Sequence, residues 1–533
     1  MPSAHVDTFA RDNLPQPDTW PELMFTLPEL VYPPVLNCAE ILLDRVAHRL
    51  GGDRRCLVTP VQTWTYADLV ARSNQVANVL VEDLGLVPGN RVLLRGPNNP
   101  WLVACWFGVI KAGGVAVATM PLLRGGELST IGEMSRAQFA LCDARFVPDL
   151  EAASIPGLRT VLYGGEASDD LTRLAAAKPA SFEAVQTSSD DVCMLAFTSG
   201  TTGRPKATMH FHRDVLAIAD TFSRYVLRPT PDDLFAGSPP LAFTFGLGGL
   251  VVFPLHVGAA TLLLEQAGPD QLLEAIDRYS VSVVFTAPTA YRAMVAGIGD
   301  VDRRSLRRCV SAGDTLPAAT WTAFHDLTGL RIIDGIGSTE MLHIFIASAA
   351  EETRPGATGR AIPGYAAEVQ DESGRPLPDG EIGLLAVKGP TGCRYLYGER
   401  QHLYVRNGWN ITGDVYVRDA EGYFRYQARA DDMIISAGYN ISGPEVENAL
   451  LRHPDVAETA VVGAPDAERG MIVKAFVVLR PGVSPSTQVA GALQDFVKKE
   501  IAPYKYPRSV EFVESLPRTA TGKLQRFRLR EGA

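Results

Sequence analysis

Short apolar runs rich in β-branched residues alternate with helical patterns through most of this chain. Residues 91–95 (RVLLR) precede a helical pattern at 100–112, and residues 281–286 (VSVVFT) precede another at 287–295. Strands that alternate with helices form βαβ units, which build mainly parallel sheets. At 533 residues the chain exceeds what one hydrophobic core usually supports. The sequence therefore predicts an α/β fold with a large N-terminal region of several subdomains and mainly parallel sheets.

A change of pattern near residue 430 predicts the main domain boundary. Residues 419–426 are typical of a hairpin around Glu421-Gly422, and the charged, turn-prone residues 427–432 follow it. Residues 433–533 carry 13 Lys and Arg against 11 Asp and Glu, whereas the first 432 residues carry 37 against 49. We therefore predict an N-terminal domain at 1–429, a hinge at 430–432, and a small mobile C-terminal α+β domain at 433–533.

Composition excludes several functional classes. The net charge of −10 argues against a nucleic-acid-binding protein. Seven cysteines without CxxC spacing indicate reduced thiols, and the N-terminus lacks the apolar core of a signal peptide. Residues 234–264 contain no Asp, Glu, Lys or Arg, but prolines and glycines divide them into pieces that are typical of buried strands and a core helix. We therefore expect a cytoplasmic protein with no nucleic-acid or membrane partner.

The strongest local signal is TSGTTGRPK at residues 198–206, directly after the apolar run 192–197. Glycines let a backbone approach an anion, hydroxyl groups bind phosphate oxygens, and Lys206 adds positive charge. A Walker A loop has four residues between its glycines, whereas only two separate Gly200 from Gly203. The pattern predicts a phosphate-binding loop of another type, with an ordinary polar turn as the alternative.

Six motifs, in order along the chain, resemble those of the adenylate-forming superfamily, which includes acyl- and aryl-CoA ligases, nonribosomal peptide adenylation domains and luciferases. The motifs are TSGTTGRPK (198–206), DGIGSTE (334–340), TGD (412–414), RADD (429–432), SAGYNIS (436–442) and PRTATGKLQR (517–526). The resemblance covers nearly the whole chain. It implies that a carboxylic acid is joined to the α-phosphate of ATP, which brings two anions together and needs cations and oriented donors.

The resemblance also implies roles for individual residues. Lys523 is expected to contact the acid carboxylate and the α-phosphate, Thr339 the α-phosphate, and Glu340 a Mg²⁺ ion; these are the predicted catalytic residues. Asp414 and Arg429 are expected at the ribose. The predicted adenine and phosphate contacts are Thr198, Ser199, Gly200, Thr201, Thr202, Gly203, Lys206, Gly313, Asp314, Asp334, Gly335 and Ile336. Ile336 stands where many family members carry an aromatic residue. A solvated surface lysine is the alternative for Lys523, and a turn residue for Asp414.

The resemblance further implies two orientations of the C-terminal domain. Rotation about Asp431 would withdraw Lys523 and present Gly438 and Tyr439, where the pantetheine arm of CoA would enter. A glycine suits a narrow tunnel because it has no side chain. An enzyme that only forms an adenylate would not need this second face.

The segments 241–247 (LAFTFGL) and 335–345 (GIGSTEMLHIF) resemble those of benzoate- and 2-aminobenzoate-CoA ligases. The expected acid-binding residues are Phe243, Thr244, Phe245, Gly337 and His343. The two phenylalanines would form flat walls, with ordinary core packing as the alternative, and Thr244 would face an ortho substituent. Because His343 follows Glu340 by three residues, one helical turn predicts both on the same side. A structural hydrogen-bond partner is the alternative for His343. We predict 2-aminobenzoate (anthranilate) as the acid, with benzoate second.

The sequence thus predicts a ligase that uses ATP, Mg²⁺ and CoA to activate a small aromatic acid. One alternative is a stand-alone aryl-adenylating enzyme that loads a separate carrier protein. Another, of a different class, is a non-catalytic adenylate-binding scaffold. Lys523, Glu340 and Asp414 argue against a scaffold, which would have no need of them.

Overall fold

The computed structural model describes residues 3–198, 205–398, 400–430, 432–436, 439–466, 469–501, 503–518 and 524–531. The strands before residue 430 are β1 (Arg55–Val58), β2 (Thr63–Thr65), β3 (Arg91–Arg95), β4 (Val115–Thr119), β5 (Phe139–Asp143), β6 (Arg159–Tyr163), β7 (Val192–Thr198), β8 (Lys206–Phe211), β9 (Leu234–Gly237), β10 (Ala260–Leu262), β11 (Val283–Thr286), β12 (Arg308–Ala312), β13 (Ile332–Gly337), β14 (Ile344–Ala347), β15 (Arg360–Ala361), β16 (Ala366–Gln370), β17 (Ile382–Lys388), β18 (Val405–Arg406), β19 (Trp409–Arg418) and β20 (Phe424–Arg429). The later strands are β21 (Ile434–Ser436), β22 (Tyr439–Ile441), β23 (Val456–Asp466), β24 (Gly470–Leu479) and β25 (Ser509–Phe512).

The helices lie mainly between these strands. They are α1 (Phe9–Asp12), α2 (Arg45–Leu50), α3 (Tyr66–Asn78), α4 (Pro100–Lys111), α5 (Gly125–Ser135), α6 (Val147–Ala152), α7 (Leu171–Ala176), α8 (His212–Ile218), α9 (Thr244–Leu247), α10 (Phe253–Val257), α11 (Pro269–Tyr279), α12 (Pro288–Met294), α13 (Ala318–Thr328), α14 (Gln401–Tyr404), α15 (Gly443–Leu450), α16 (Thr487–Glu500) and α17 (Arg526–Glu531). In the part of the chain that the structure describes, no helix is both long and apolar enough to cross a membrane.

Two large sheets dominate the N-terminal region. The first has the strand order β15-β14-β13-β12-β11-β9-β10-β1-β2 and is parallel from β13 to β1, with antiparallel strands at its edges. The second has the order β6-β5-β3-β4-β7-β8, in which β8 runs antiparallel to β7. Helices α3 and α4 pack on each other and connect the two sheets. The predicted α/β fold with mainly parallel sheets is confirmed, and β16–β20 add a smaller antiparallel sheet.

Helix α4 illustrates why these residues form a βαβ unit. The side chain of Asn99 caps the helix by accepting a hydrogen bond from the backbone N–H of Leu102, and Pro100 occupies the first turn, where it removes no helical hydrogen bond. Every residue of β3 is buried, as are all residues of α4 except Trp101. A strand buried on both faces is expected in a parallel sheet that helices cover.

The uncharged segment 234–264 folds as two buried strands, β9 and β10, joined by a helical stretch. Its helices α9 and α10 are connected by a π-helical turn at Gly248–Val252. Gly258 ends the stretch with a φ of +85°, a conformation that L side chains rarely adopt. The expected buried strands and core helix are confirmed.

The C-terminal region has its own hydrophobic core. Strands β23, β24 and β25 form a three-stranded sheet, and β21 pairs with β22. Buried side chains from β21, α15, β24 and α16, including Ile434, Val446, Val473 and Leu493, pack together. This region is the small α+β unit that the sequence predicts. It contacts the N-terminal region through an ion pair in which the Arg292 guanidinium lies 2.5 Å from the Glu458 carboxylate.

Candidate active site

The carboxyl ends of β12 and β13 bring two predicted nucleotide segments together. These neighbouring parallel strands pair Ser311 with Asp334 and Ala312 with Gly335, so the turn that begins at Gly313 lies beside them. Gly313 has a φ of +91°, which a side chain would strain. Ligands of open α/β sheets bind outside the carboxyl ends of the strands. Gly313, Asp314, Asp334, Gly335 and Ile336 therefore share one edge of the nine-stranded sheet.

Asp334 carries an unsatisfied acceptor at this edge. Its Oδ1 atom is buried and makes no hydrogen bond to any described residue. Burial raises the pKa of this carboxyl group well above its usual value, and the charge of Asp314 acts in the same direction. A ligand with an N–H or O–H group at this edge would satisfy the oxygen.

The hairpin of β7 and β8 positions the two ends of the predicted phosphate loop. Thr198, the last residue of β7, pairs with Lys206, the first of β8. The Lys206 ammonium group lies 5.5 Å from the centroid of the Tyr395 ring. Ser199, Gly200, Thr201, Thr202 and Gly203 lie outside the described residues.

Glu340 lies in a tight turn that follows β13. The backbone N–H of Met341 donates to the carbonyl oxygen of Ser338, that of Leu342 donates to Thr339, and Leu342 adopts a φ of +70°. The Glu340 carboxylate accepts a hydrogen bond of 2.5 Å from the Tyr395 hydroxyl group. The predicted helical turn from Glu340 to His343 is wrong, because the left-handed conformation at Leu342 reverses the chain there.

His343 instead lies inside a cluster of aromatic rings. Its ring centroid is 4.6 Å from that of Phe253, 5.5 Å from Phe222, 5.7 Å from Phe245 and 6.5 Å from Phe285. The residue is 3% exposed, and neither ring nitrogen makes a hydrogen bond of ordinary geometry to a described residue. Burial lowers the pKa of His343 to about 3, so its imidazole is neutral at physiological pH. We call Phe222, Phe245, Phe253, Phe285 and His343 the aromatic cluster.

Only part of the predicted acid-binding set lies in this cluster. Phe245 and His343 belong to it, whereas Phe243 precedes α9 and Thr244 is the first residue of that helix. Gly337 lies against the backbone of His343. A Cβ atom at Gly337 would come within 2.6 Å of the His343 carbonyl oxygen, so this position needs glycine. The sequence analysis missed Phe222, Phe253 and Phe285. Of these, only Phe285 had a recognisable signal, because it lies near the carboxyl end of a parallel strand.

Two glycines of the π-helical turn pack directly on the aromatic cluster. A Cβ atom at Gly248 would lie 2.3 Å from Cδ2 of His343, and one at Gly249 would lie 2.6 Å from Cδ1 of Phe285. Both contacts are too short for any larger residue, so these glycines let the helix approach the rings closely. The irregular helix and the two glycines together determine where the rings lie.

Asp414 and Arg429, the residues predicted at the ribose, pair across β19 and β20. The Arg429 guanidinium donates to the Asp414 carboxylate at 3.0 Å and to the Thr412 carbonyl oxygen at 3.1 Å. The Thr412 hydroxyl accepts the backbone N–H of Asp414 at 3.1 Å. The carboxylate is thus held in place by its own strand and by the next one.

The C-terminal region meets this face at a crevice. Arg518 and Leu524, which pair with each other across an antiparallel bridge, line it together with Asp314 and Thr315. Lys523 directly precedes Leu524, but it lies outside the described residues, as do Asp431 and Gly438. Only the backbone of Tyr439 is described, in β22.

Comparisons with known proteins identify the family. The family model of the AMP-binding enzyme matches residues 43–397, and that of the AMP-binding enzyme C-terminal domain matches residues 445–523. The chain belongs to the AMP-binding enzyme family. This result confirms the resemblance to adenylate-forming enzymes.

Whole-length relatives of this AMP-binding enzyme include ligases of aromatic acids. The benzoate–CoA ligase of Thauera aromatica is 35% identical over 515 residues, which are 95% of this chain and 98% of the relative. The solved structure of the anthranilate CoA ligase AuaEII in complex with anthranoyl-AMP has a TM-score of 0.90 at 35% identity, covering 95% of this chain and 99% of that one. A benzoate CoA ligase from Burkholderia xenovorans LB400 has a TM-score of 0.85 at 32% identity, covering 93% and 100%. The chain is an AMP-forming acid–CoA ligase.

Proposed function

We propose that this AMP-forming acid–CoA ligase activates 2-aminobenzoate. ATP and the acid would form an aryl-AMP and pyrophosphate, and CoA would then displace AMP to form the aryl thioester. The observation that carries the choice of acid is the neutral imidazole of His343, which is buried in a cluster of aromatic rings. Its polar neighbour is the backbone of Phe245, and neither ring nitrogen makes a hydrogen bond of ordinary geometry to a described residue. Similarity to an anthranilate CoA ligase and to two benzoate–CoA ligases supports an aromatic acid.

The aromatic cluster favours a flat ring over a flexible chain. Phenylalanine rings present broad apolar surfaces that stack on, or meet edgewise, another aromatic ring. Phe245 is partly exposed while its ring contacts those of Phe285 and His343, so it lies at the boundary between the cluster and the open side. An aromatic acid would pack on these rings and direct its carboxylate toward the proposed nucleotide-binding surface that carries Asp334, Glu340 and Asp414, which we call the nucleotide face.

His343 favours a polar substituent on that ring. A neutral imidazole has one donor and one acceptor nitrogen, and leaving either unpaired in a buried site is costly. The amino group of 2-aminobenzoate could donate to the acceptor nitrogen, whereas benzoate offers no group for this contact. Benzoate, the second candidate, would therefore bind but be used less efficiently. Phe243 would form another flat wall for the ring, and Thr244 would face the ortho substituent.

The nucleotide would lie across the edge of the nine-stranded sheet. The proposed contacts are Thr198, Ser199, Gly200, Thr201, Thr202, Gly203, Lys206 and Thr339 at the phosphates, Gly313, Asp314, Asp334, Gly335 and Ile336 at adenine, and Asp414 and Arg429 at ribose. The unsatisfied Oδ1 of Asp334 fits the amino group of a purine. Lys523 would enter from the crevice that Arg518 and Leu524 line.

Glu340 is the proposed Mg²⁺ ligand. Its carboxylate is a hard oxygen donor, and Tyr395 is hydrogen-bonded to its Oε1 atom, which leaves Oε2 available to a cation. The donor set therefore fits the ion. When bound, Mg²⁺ would neutralise phosphate charge, while Glu340 would fix the position of the ion.

The thioester step requires the second orientation of the C-terminal domain. We place the hinge at 430–432, with Asp431 as its pivot, between a domain at 1–429 and one at 433–533. Gly438 and Tyr439 would then line the entry of the CoA thiol.

The proposed substrates are all small molecules that are expected in the cytoplasm, so we propose that the protein acts there.

Pyrophosphate release across a panel of acids, with and without CoA, tests this function. We expect 2-aminobenzoate to be the best substrate, benzoate and 2-fluorobenzoate to be slower, and fatty acids to fail, with the thioester and AMP formed only when CoA is present. A preference for para-hydroxylated or aliphatic acids would contradict the substrate. Thioester formation on a carrier protein but not on CoA would favour the alternative of a stand-alone adenylating enzyme.

A further inference from the structure

We propose that Tyr395 is a positioning residue that holds the Glu340 carboxylate in the orientation needed to bind the metal ion. The inference rests on the proposed role of Glu340 as a Mg²⁺ ligand. Tyr395 lies in none of the six motifs, more than fifty residues after Glu340 in the chain. Only the fold brings the two side chains together.

The contact has the geometry of a strong hydrogen bond. The Tyr395 hydroxyl donates to Oε1 of Glu340 at 2.5 Å, the short distance typical of an O–H donor facing a carboxylate. An ionised carboxylate only accepts hydrogen bonds, so the phenol is the donor in this contact.

The backbone around Tyr395 is itself fixed. The neighbouring Arg394 is fully buried and pairs with the fully buried Asp214 at 3.0 Å. The Arg394 carbonyl oxygen accepts the backbone N–H of Met209 at 2.8 Å, and the side-chain oxygen of Gln401 accepts that of Tyr395 at 3.0 Å. These contacts attach the segment to β8, α8 and α14, so the backbone that carries the phenol ring is fixed relative to these elements.

Tyr395 also contacts the cation at the end of that loop. The Lys206 ammonium group lies over the face of its ring, 5.5 Å from the centroid. Within the described chain, Lys206 and Glu340 form no ion pair with each other. An ion pair between them would neutralise Lys206, which is proposed to bind phosphate, and Glu340, which is proposed to bind the metal ion. The phenol donates a hydrogen bond to the Glu340 carboxylate without adding a charge, so Glu340 keeps its negative charge and Lys206 its positive charge.

A neighbouring tyrosine provides a matched control. The Tyr404 ring is 6.0 Å from that of Tyr395, and its hydroxyl lies 3.1 Å from the Ser338 hydroxyl. Tyr404→Phe removes the same atom from the same region without releasing Glu340. An effect that is specific to the carboxylate should appear in Tyr395→Phe and not in Tyr404→Phe.

The test measures metal dependence as well as turnover. For the parent, Tyr395→Phe, Tyr404→Phe and Glu340→Gln, pyrophosphate release is titrated with Mg²⁺, and Mn²⁺ binding in the presence of ATP is followed by electron paramagnetic resonance. Loss of a partner that orients a metal ligand typically costs about 10- to 100-fold in metal affinity or activity, so we expect a shift of that size in Tyr395→Phe. Thioester formation from supplied aryl-AMP should stay at the parental rate, and Tyr404→Phe should titrate like the parent.

Three results would overturn the proposal. Parental Mn²⁺ binding in Tyr395→Phe, with weakened binding in Glu340→Gln, would refute the role of Tyr395 alone. Parental Mn²⁺ binding in Glu340→Gln would refute the metal role of Glu340, and the proposal with it, while leaving the acid substrate of the enzyme untouched. Equal losses in both half-reactions, together with a lower unfolding temperature of Tyr395→Phe, would make the residue structural.

Discussion

The aromatic cluster and the nucleotide face are built in opposite ways. Around His343 the side chains are apolar and closely packed, all of them buried except the partly exposed Phe245, and they come from strands and helices of one region. The nucleotide face consists of turns and strand ends, carries Asp334, Glu340 and Asp414, and meets the C-terminal region at its edge. A rigid cluster can discriminate between rings, whereas an open polar face can bind charged groups and release them. Substrate choice and chemistry are therefore separable, and each can be altered alone.

The largest expected effect is on the nucleotide face. Lys523→Ala should nearly abolish aryl-AMP formation, because a cation that stabilises developing charge is lost. Removing such a contact typically costs about 3–4 kcal/mol, or roughly two to three decades in rate. Thioester formation from supplied aryl-AMP should be spared, since Lys523 would be withdrawn in that orientation. Rates of the two half-reactions, measured separately, decide this, and equal losses in both would point to a role in folding.

A smaller effect is expected from overpacking the aromatic cluster. Gly248→Ala would place a Cβ atom 2.3 Å from Cδ2 of His343, so the ring must move. Overpacking of this kind typically costs about 1–3 kcal/mol. We expect kcat/KM for 2-aminobenzoate to fall while the KM for ATP stays unchanged. Gly126→Ala is the matched control, because Gly126 is exposed in α5 and nothing lies within 4 Å of its added Cβ. A rise in the KM for ATP would show that the two regions are not separable.

A further effect, on stability and not on activity, is expected in acid. Burial lowers the pKa of His343 from its ordinary value of 6.5 to about 3, so between these two pH values the unfolded chain binds a proton that the folded chain does not. The contribution of His343 to stability is therefore complete above about pH 6.5 and is lost as the pH falls toward 3, at up to about 1.4 kcal/mol per pH unit. Chemical denaturation between pH 5 and 8 should show a weaker pH dependence for His343→Ala than for the parent. Identical dependences would mean that the imidazole is not buried in its neutral form.

The same contrast explains how much the sequence could predict. Alternating strands and helices gave the parallel sheets, and the loop at 198–206, the Asp334 segment and the Asp414–Arg429 pair are short patterns whose chemistry is local. The aromatic cluster is different. Phe222, Phe253 and Phe285 come from separate segments and look like ordinary core residues until the fold assembles them.

Two local features were also beyond sequence reasoning. The turn after β13 depends on a left-handed leucine, Leu342, whereas residue spacing alone suggested a helix. Tyr395 reaches Glu340 only because its segment is held by the buried pair of Arg394 with Asp214 of α8 and by the hydrogen bond from Met209 of β8 to the Arg394 carbonyl oxygen. Tertiary contacts override local propensity at both places.

The central claim is that His343 recognises the ortho amino group. The most direct test is kcat/KM for 2-aminobenzoate and for benzoate in the parent and in His343→Ala. The cavity left by the substitution affects both acids alike, so the ratio of the two constants isolates the polar contact. A site that hydrogen-bonds a substrate group rejects the analogue without it far more strongly than a site that only has room for it. We expect the parent to prefer 2-aminobenzoate and His343→Ala to lose most of that preference. An equal loss for both acids would contradict it.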